Sequence, residues 1–177
     1  MIDPREYVAA ETLKDGLAVT IRALRPDDRA RVARAVRGLD RESIYFRLFS
    51  YRKELTEPGL DRIMSFDPQR EIVLLATVGN GDNETVIGSG RYVVGVPGTA
   101  EIAFVVEEDY QGLGIAGRLL RRLAEIASDK GIAEFEADVL AENASMLAVF
   151  ARSGLPMRKR RDGGVVHVTL SLRTDPA

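Results

Sequence analysis

The sequence predicts an α/β (α+β) fold, a mixed β-sheet with helices on its faces. Three observations carry that expectation. Residues 70–78 and 85–95 are strand-like apolar runs joined by GNGDNE, a strong hairpin signal. Residues 100–107 form another strand and lead into YQGLGIAGRLL, a Gly-rich loop followed by the first turn of an apolar-periodic helix. Residues 133–172 then read as a strand, a helix and a second hairpin. The expected order is β-α-α-β-β-β-α-β-α-β-β, without internal repeat, low-complexity tract or linker.

Element by element, residues 1–7 and 173–177 read as loose tails. Lys14-Asp15-Gly16 is a turn signal leading into a strand over 17–23, LAVTIRA. Pro26, Asp27 and Asp28 open a helix, because proline fits the first turn and the acids complement the helix dipole. Val32, Val36 and Leu39 supply its apolar stripe. Residues 41–49, RESIYFRLF, read as a second, aromatic-rich helical segment. Thr56 reads as the N-cap of a helix carrying Leu60, Ile63 and Met64. Pro97-Gly98 turns the chain into the strand over 100–107. In the helix after the Gly-rich loop, Ile115, Leu119, Leu120, Leu123 and Ile126 share one face, and Gly131 sits where a helix-ending glycine belongs. A strand over 133–140, a helix over 143–153 ended by Gly154, and a hairpin turning at Asp162-Gly163-Gly164 complete the chain.

Size and composition narrow the function. The 177 residues suit one domain, with a core over about 12–172. The formal charge of −2 gives no electrostatic case for nucleic acid or an anionic membrane surface. With no cysteine, there are no disulfides, no thiolate-bound metal and no thiol nucleophile. His167 is the only histidine, which argues against a Ser–His–Asp triad or a multi-histidine metal site. No apolar run is long enough to span a bilayer and no signal-peptide core is present, so a cytoplasmic protein is expected.

Residues 110–117 name a ligand class. A Gly-rich turn between strand and helix leaves several backbone N–H groups unpaired and pointing one way. The helix behind adds the positive end of its dipole, and together they suit a phosphate or pyrophosphate. A bare tight turn is the bland alternative. A P-loop is excluded, because no Lys-Ser or Lys-Thr follows the glycines.

Gln111-x-x-Gly114-x-Ala116, set between strand and helix with a strand and helix following, resembles the pyrophosphate loop of the GNAT superfamily of acyl-CoA-dependent N-acyltransferases. TLKDGLAVTIRALRPDD, LDRESIYFRLF and FEADVLAENASML are similar, more narrowly, to the acetyltransferase domain of bacterial protein lysine acetyltransferases. The resemblance implies the GNAT fold, with a mixed, mostly antiparallel central sheet flanked by helices. It implies acetyl-CoA as cosubstrate and no metal. The implied partner is a protein substrate such as an acyl-CoA synthetase, with the enzyme itself a monomer or homodimer. Alternative acceptors are a small-molecule or N-terminal amine, and a non-catalytic acyl-CoA sensor is the reading from another class.

The same resemblance assigns candidate residues. Gln111, Gly112, Leu113, Gly114, Ile115, Ala116 and Gly117 would wrap the pyrophosphate, Gly112 and Gly114 permitting close backbone approach. Arg118, Arg121 and Arg122 are candidates for the adenosine 3′-phosphate. Backbone groups of Phe104, Val105 and Val106 would pair with the pantetheine amides, and an N–H near Val105 or Val106 would polarise the thioester. Asn143 is an N-cap that in the family also meets the cofactor, and Met146 and Phe150 pack against the cofactor arm or the core.

The attacking amine must lose a proton, since a lysine amine has a pKa of about 10.4. Glu101 is the best match to the family's strand-borne base, with Glu107 and Glu108 as alternatives. Its bland role is a strand-end carboxylate in solvent or paired with Arg91. On a regular strand Glu101, Ala103, Val105 and Glu107 share one face. Phe150 stands where many members carry a tyrosine acid. Either solvent protonates the leaving thiolate, or another group does, Tyr110, Tyr92 and Tyr45 being candidates. Tyr45, Phe46, Phe49 and Tyr51 lie where the family builds its acceptor side. His167 and the basic run 158–161 read as ordinary hairpin residues.

Overall fold

The computed structural model describes residues 3–37, 61, 64–65 and 67–173. The segment expected at 41–49, Thr56, Leu60 and Ile63, and the aromatic cluster Tyr45, Phe46, Phe49 and Tyr51 lie outside the described residues.

The described strands are β1 (Val8–Thr12), β2 (Ala18–Ala23), β3 (Glu71–Val78), β4 (Thr85–Val94), β5 (Thr99–Val106), β6 (Glu134–Leu140), β7 (Met157–Asp162) and β8 (Val165–Ser171). They form one sheet in the order β1-β2-β3-β4-β5-β6-β8-β7. Every neighbouring pair is antiparallel except β5 and β6. The α-helices are α1 (Arg29–Arg37), α2 (Ile115–Asp129) and α3 (Ala144–Ala151). This is the mixed sheet with flanking helices that the sequence pattern calls for, and it is mostly antiparallel, as the family resemblance implies.

α2 packs as its periodicity requires. Ile115, Leu119, Leu120, Leu123 and Ile126 are all buried, against Ile102 and Phe104 of β5 and Phe135 of β6. Gly90 on β4 makes room: a Cβ there would stand 2.9 Å from the Phe104 ring and 3.2 Å from Leu119. The opposite face carries a smaller cluster of Leu24, Val32, Val73, Leu75 and Val86, to which α1 contributes Val32. Helices thus cover both faces of the β3–β5 region, and β4 and β5 keep a continuous register from Gly88↔Val106 to Val94↔Ala100. The irregularity lies instead between Ala76 and Thr77 of β3.

Two sequence expectations change. The N-terminal tail is not loose up to Tyr7: the Tyr7 hydroxyl accepts from Arg122 Nη1 and donates to Glu125 Oε2, each at 3.3 Å. β1 follows directly as an added edge strand, which VAAET barely signals because only one apolar β-former stands in it. Pro26–Asp28 is a single 3₁₀ turn before α1 rather than its first α-turn. Asp28, read from the sequence as a dipole partner, is fully buried. It accepts from Arg22 Nη1 and Nη2 at 2.8 and 2.7 Å and from the Arg25 N–H at 2.7 Å. Arg22, itself buried, also donates to both oxygens of Glu84, which accepts from Thr77 as well. This charged cluster joins β2, the 3₁₀ turn, β3 and the residue just before β4, and satisfies its own hydrogen-bonding groups, as buried charges must.

Candidate active site

The site grows from a discontinuity in the sheet. β5 runs to Val106 and β6 to Leu140, yet they pair only over Thr99–Glu101 and Glu134–Glu136. Past Glu101 the strands no longer share hydrogen bonds. The Glu107 N–H donates to Ile87 O at 2.8 Å, so by strand alternation Val105, Ala103 and Glu101 also turn their backbone groups to β4. Phe104 and Val106 therefore present N–H and C=O to the side where β6 has departed. This corrects the expectation for Val105, whose N–H faces Ser89. The Val106 carbonyl accepts from Gln111 Nε2 at 3.2 Å, which leaves Phe104 as the strand's main unpaired backbone site there.

At the mouth of this parting lies the Gly-rich loop. Gly112 has φ 81° and Gly114 φ 93°, the left-handed region that other residues adopt at a cost. Gly114 is the N-cap of α2. The first helical donor is Arg118 N–H, to Gly114 O at 3.2 Å, so the N–H groups of Ile115, Ala116 and Gly117 precede the helical ladder. Ile115 and Ala116 bury their side chains and Leu113 packs on the core, while Gln111, Gly112 and Gly117 are exposed. The loop therefore offers backbone outward, the arrangement an anionic ligand uses.

The three arginines of α2 are drawn toward β1. Spaced at i, i+3 and i+4, Arg118, Arg121 and Arg122 share a helix face, and that face meets β1. Glu11 takes Arg122 Nη2 at 2.6 Å, Arg121 Nη2 at 3.2 Å and Arg118 Nε at 3.5 Å. Burial alone would raise the Glu11 pKa, but the hydrogen bonds and charges of Arg122 and Arg121 hold it below the ordinary carboxylate value. Arg118 also clasps the loop, donating through Nη1 to Gly114 O at 3.0 Å and through Nη2 to Thr12 O at 2.9 Å. β1 was invisible in the sequence, so its claim on these arginines was invisible too.

The candidate bases stand far apart. Glu101 lies at the apex of the parting, in register with Glu136 of β6, and is exposed. Water thus removes the burial cost that a strand carboxylate would otherwise bear. Arg91 pairs with Glu71 at 3.4 Å and not with Glu101. Glu107 is half-buried at the other end of β5, roughly 20 Å away at 3.3 Å per residue. There it lines a groove of about 190 Å³ with Arg31, Arg34, Glu84 and Tyr110. Glu108 begins the 3₁₀ turn Glu108–Tyr110, and its side chain lies outside the described residues.

Asn143 caps α3, its Oδ1 accepting from the Met146 N–H at 3.1 Å. Met146 is half-buried and packs on the core. Phe150 is buried against Phe104. Of the tyrosines weighed as acids, Tyr92 is buried with no hydrogen-bond partner for its hydroxyl, and burial pushes its pKa up. Tyr110 is half-buried beside Glu107. His167 pairs through Nδ1 with Asp138 across β8 and β6, and Arg158 on the edge strand β7 meets Glu134 at 3.3 Å. Among the described residues no group of three or more His, Asp or Glu could hold a metal ion. No described helix is long and apolar enough to cross a membrane.

An extended ligand with a phosphate at one end fits this arrangement. The loop supplies N–H donors for the phosphate, and Phe104 supplies a strand edge for an amide-bearing arm.

Comparison with known proteins agrees. Residues 41–155 match the model of the Acetyltransferase (GNAT) family. The chain is 32% identical over 137 residues to acetyltransferase PA5475 of Pseudomonas aeruginosa, covering 77% of this chain and 74% of that one. It is 34% identical over 148 residues to acetyltransferase Pat of Mycolicibacterium smegmatis, spanning 82% of this chain but only 43% of Pat. The crystal structure of the GNAT domain of S. lividans PAT superposes with a TM-score of 0.84 at 29% identity, covering 93% of this chain and 96% of that one. The chain belongs to the acetyltransferase (GNAT) family.

Proposed function

We propose that this acetyltransferase takes acetyl-CoA as donor and the side-chain amine of a protein lysine as acceptor, an acyl-CoA synthetase being the substrate class. The observation that carries the reading is the parting of β5 from β6, with an N–H-rich loop at its mouth and an exposed carboxylate at its apex. The exposure of Glu101 favours a protein acceptor. An amine borne on another protein reaches an exposed carboxylate more readily than one at the bottom of a closed pocket. The likeness to the S. lividans PAT domain supports the same choice.

Bound acetyl-CoA would supply a thioester carbonyl for the amine to attack, the C–S bond breaking as the amide C–N bond forms and the CoA thiolate leaving to take a proton from solvent or a neighbouring group. The chain's own residues do the rest. The N–H groups of Ile115, Ala116 and Gly117, with those of the loop, hold the phosphates. The Phe104 N–H, turned to the parting, donates to the arm or to the carbonyl oxygen as it gains charge. Glu101 takes the proton from the acceptor ammonium, directly or through water. Glu107 is the weaker candidate, because it sits at the mouth beside the phosphate loop.

The test is to incubate the enzyme with labelled acetyl-CoA, purified acyl-CoA synthetases and a panel of free amines. Label on a synthetase lysine, mapped by mass spectrometry, is the expected result. Label on the free amines alone would move the acceptor to small molecules.

A further inference from the structure

We propose that Lys14, on the turn between β1 and β2, is a ligand of the cofactor's phosphates. The proposal rests on reading residues 111–117 as the phosphate cradle, and it adds a cation to that cradle's backbone donors. The cations expected from α2 all share one partner on β1, since Arg118, Arg121 and Arg122 each meet Glu11.

The β1–β2 turn brings another cation to the same place. Its backbone is docked on the loop at two points. The Lys14 N–H donates to Leu113 O at 3.5 Å, and Arg118 bridges Thr12 O at 2.9 Å to Gly114 O at 3.0 Å. The turn is also closed on itself by Leu13 N–H to Leu17 O and Gly16 N–H to Leu13 O, each 2.9 Å, and by Leu17 N–H to Asp15 Oδ1 at 3.0 Å. The base of the Lys14 side chain is therefore held in position. Its Cε stands 3.7 Å from where a Cβ on Gly114 would lie, so the aliphatic stem runs alongside the residue that caps α2. Lys14 is exposed and forms no ion pair with a described residue. A lysine ammonium on a flexible stem binds phosphate as a point charge, without the fixed fork that an arginine would impose. Backbone donors from one segment and a cation from another, about a hundred residues earlier in the chain, then surround the same anion.

The experiment uses the full chain with Lys14→Gln, Lys14→Arg and Gly114→Val. Acetyl-CoA dependence of the rate is measured at a fixed saturating acceptor, and binding of CoA and of dephospho-CoA by calorimetry. Lys14→Gln should raise both KM for acetyl-CoA and Kd for CoA by roughly fivefold, the upper range for an exposed ion pair, with kcat changing far less. Lys14→Arg should recover most of the loss. A loss that persists with dephospho-CoA puts the ammonium on the pyrophosphate. A loss that disappears puts it on the 3′-phosphate. Unchanged Kd values in Lys14→Gln, with Gly114→Val unable to bind, would overturn the role of Lys14 alone. Normal binding by Gly114→Val would overturn the cradle beneath it.

Discussion

The rings of Phe104 on β5 and Phe150 on α3 stand 6.2 Å apart with their planes inclined at 59°. The contact joins the helix that follows β6 to β5, in the stretch where the two strands have stopped sharing hydrogen bonds. Side-chain packing thus holds together a sheet that its backbone leaves open. An opening of this kind can admit a ligand arm without splitting the core.

Phe150→Ala should therefore destabilise the fold by about 3–5 kcal/mol, the usual range for truncating a buried phenylalanine. It should also weaken acetyl-CoA binding, because the walls of the opening lose their tie. Phe150→Tyr keeps the ring and should cost less on both counts. Chemical denaturation and calorimetric titration read the two effects. A strong acceleration by Phe150→Tyr would show instead that protonation of the leaving thiolate limits the native enzyme.

Gly114→Val should abolish the thermal stabilisation that acetyl-CoA confers by binding the native state. Gly114 has φ 93°, and a Cβ there would fall 2.3 Å from Arg118 Nη1. The arginine can swing aside, but it would then release the carbonyls of Gly114 and Thr12. The backbone angle has no such escape for a β-branched residue. A melt in which the variant responds fully to acetyl-CoA would contradict this account.

Glu101→Gln should lower turnover by about a hundredfold near neutral pH and leave acetyl-CoA binding nearly intact. Glutamine keeps the size and polarity of the side chain but takes no proton. The deficit should shrink as pH rises toward the acceptor amine's own pKa, where the neutral amine needs no base. Glu107→Gln, about 20 Å along the strand, should lack this pH signature. Profiles of both variants with one verified acceptor decide between them. A wild-type profile from Glu101→Gln moves the base elsewhere.

Acid should unfold the protein partly through the cluster around Arg22. Burial alone would raise the Asp28 pKa, but the hydrogen bonds from Arg22, Arg25 N–H and Arg31 hold it below its ordinary 3.8. The bond from Arg22 likewise lowers Glu84 from its ordinary 4.5. Both carboxylates are thus more acidic folded than unfolded. Their stabilisation is complete above the ordinary values and is lost as pH falls through the lowered ones. Asp28→Asn should destabilise by about 1.5–3 kcal/mol at neutral pH, since Arg22 loses one of its two carboxylate partners while Glu84 stays in place. Its melting-temperature deficit should narrow below about pH 4, as the unfolded wild-type chain takes up the proton that the folded Asp28 carboxylate resists. A deficit that stays constant from pH 7 to pH 3 would contradict this linkage.

The readable parts of the molecule are those in which cause and effect lie close together in the chain. The hairpin at 79–84, the apolar stripe of α2, the cap at Asn143 and the glycines at 112 and 114 each depend on residues within a few positions. Local sterics and a repeating period are enough to specify them. β1 escaped notice because an edge strand gains its hydrogen bonds from a distant partner and needs little apolar patterning of its own. The burial of Arg22 and Asp28 escaped for a similar reason. A buried ion pair leaves no trace in a pattern that scores each residue alone.

The sequence by itself determined the strand–loop–helix whose first N–H groups stand ahead of the helical ladder, and the family resemblance that follows from it. The tertiary structure alone decided what stands around that loop. Glu11 draws off the three arginines from more than a hundred residues away, and Lys14 arrives with the same edge strand. The register of β4 against β5 turns the Phe104 N–H, and not that of Val105, toward the opening. The early end of β5–β6 pairing places Glu101 at its apex. Each of these depends on which strands become neighbours and in what register. That choice minimises the free energy of the whole sheet and core, and no short stretch of residues encodes it.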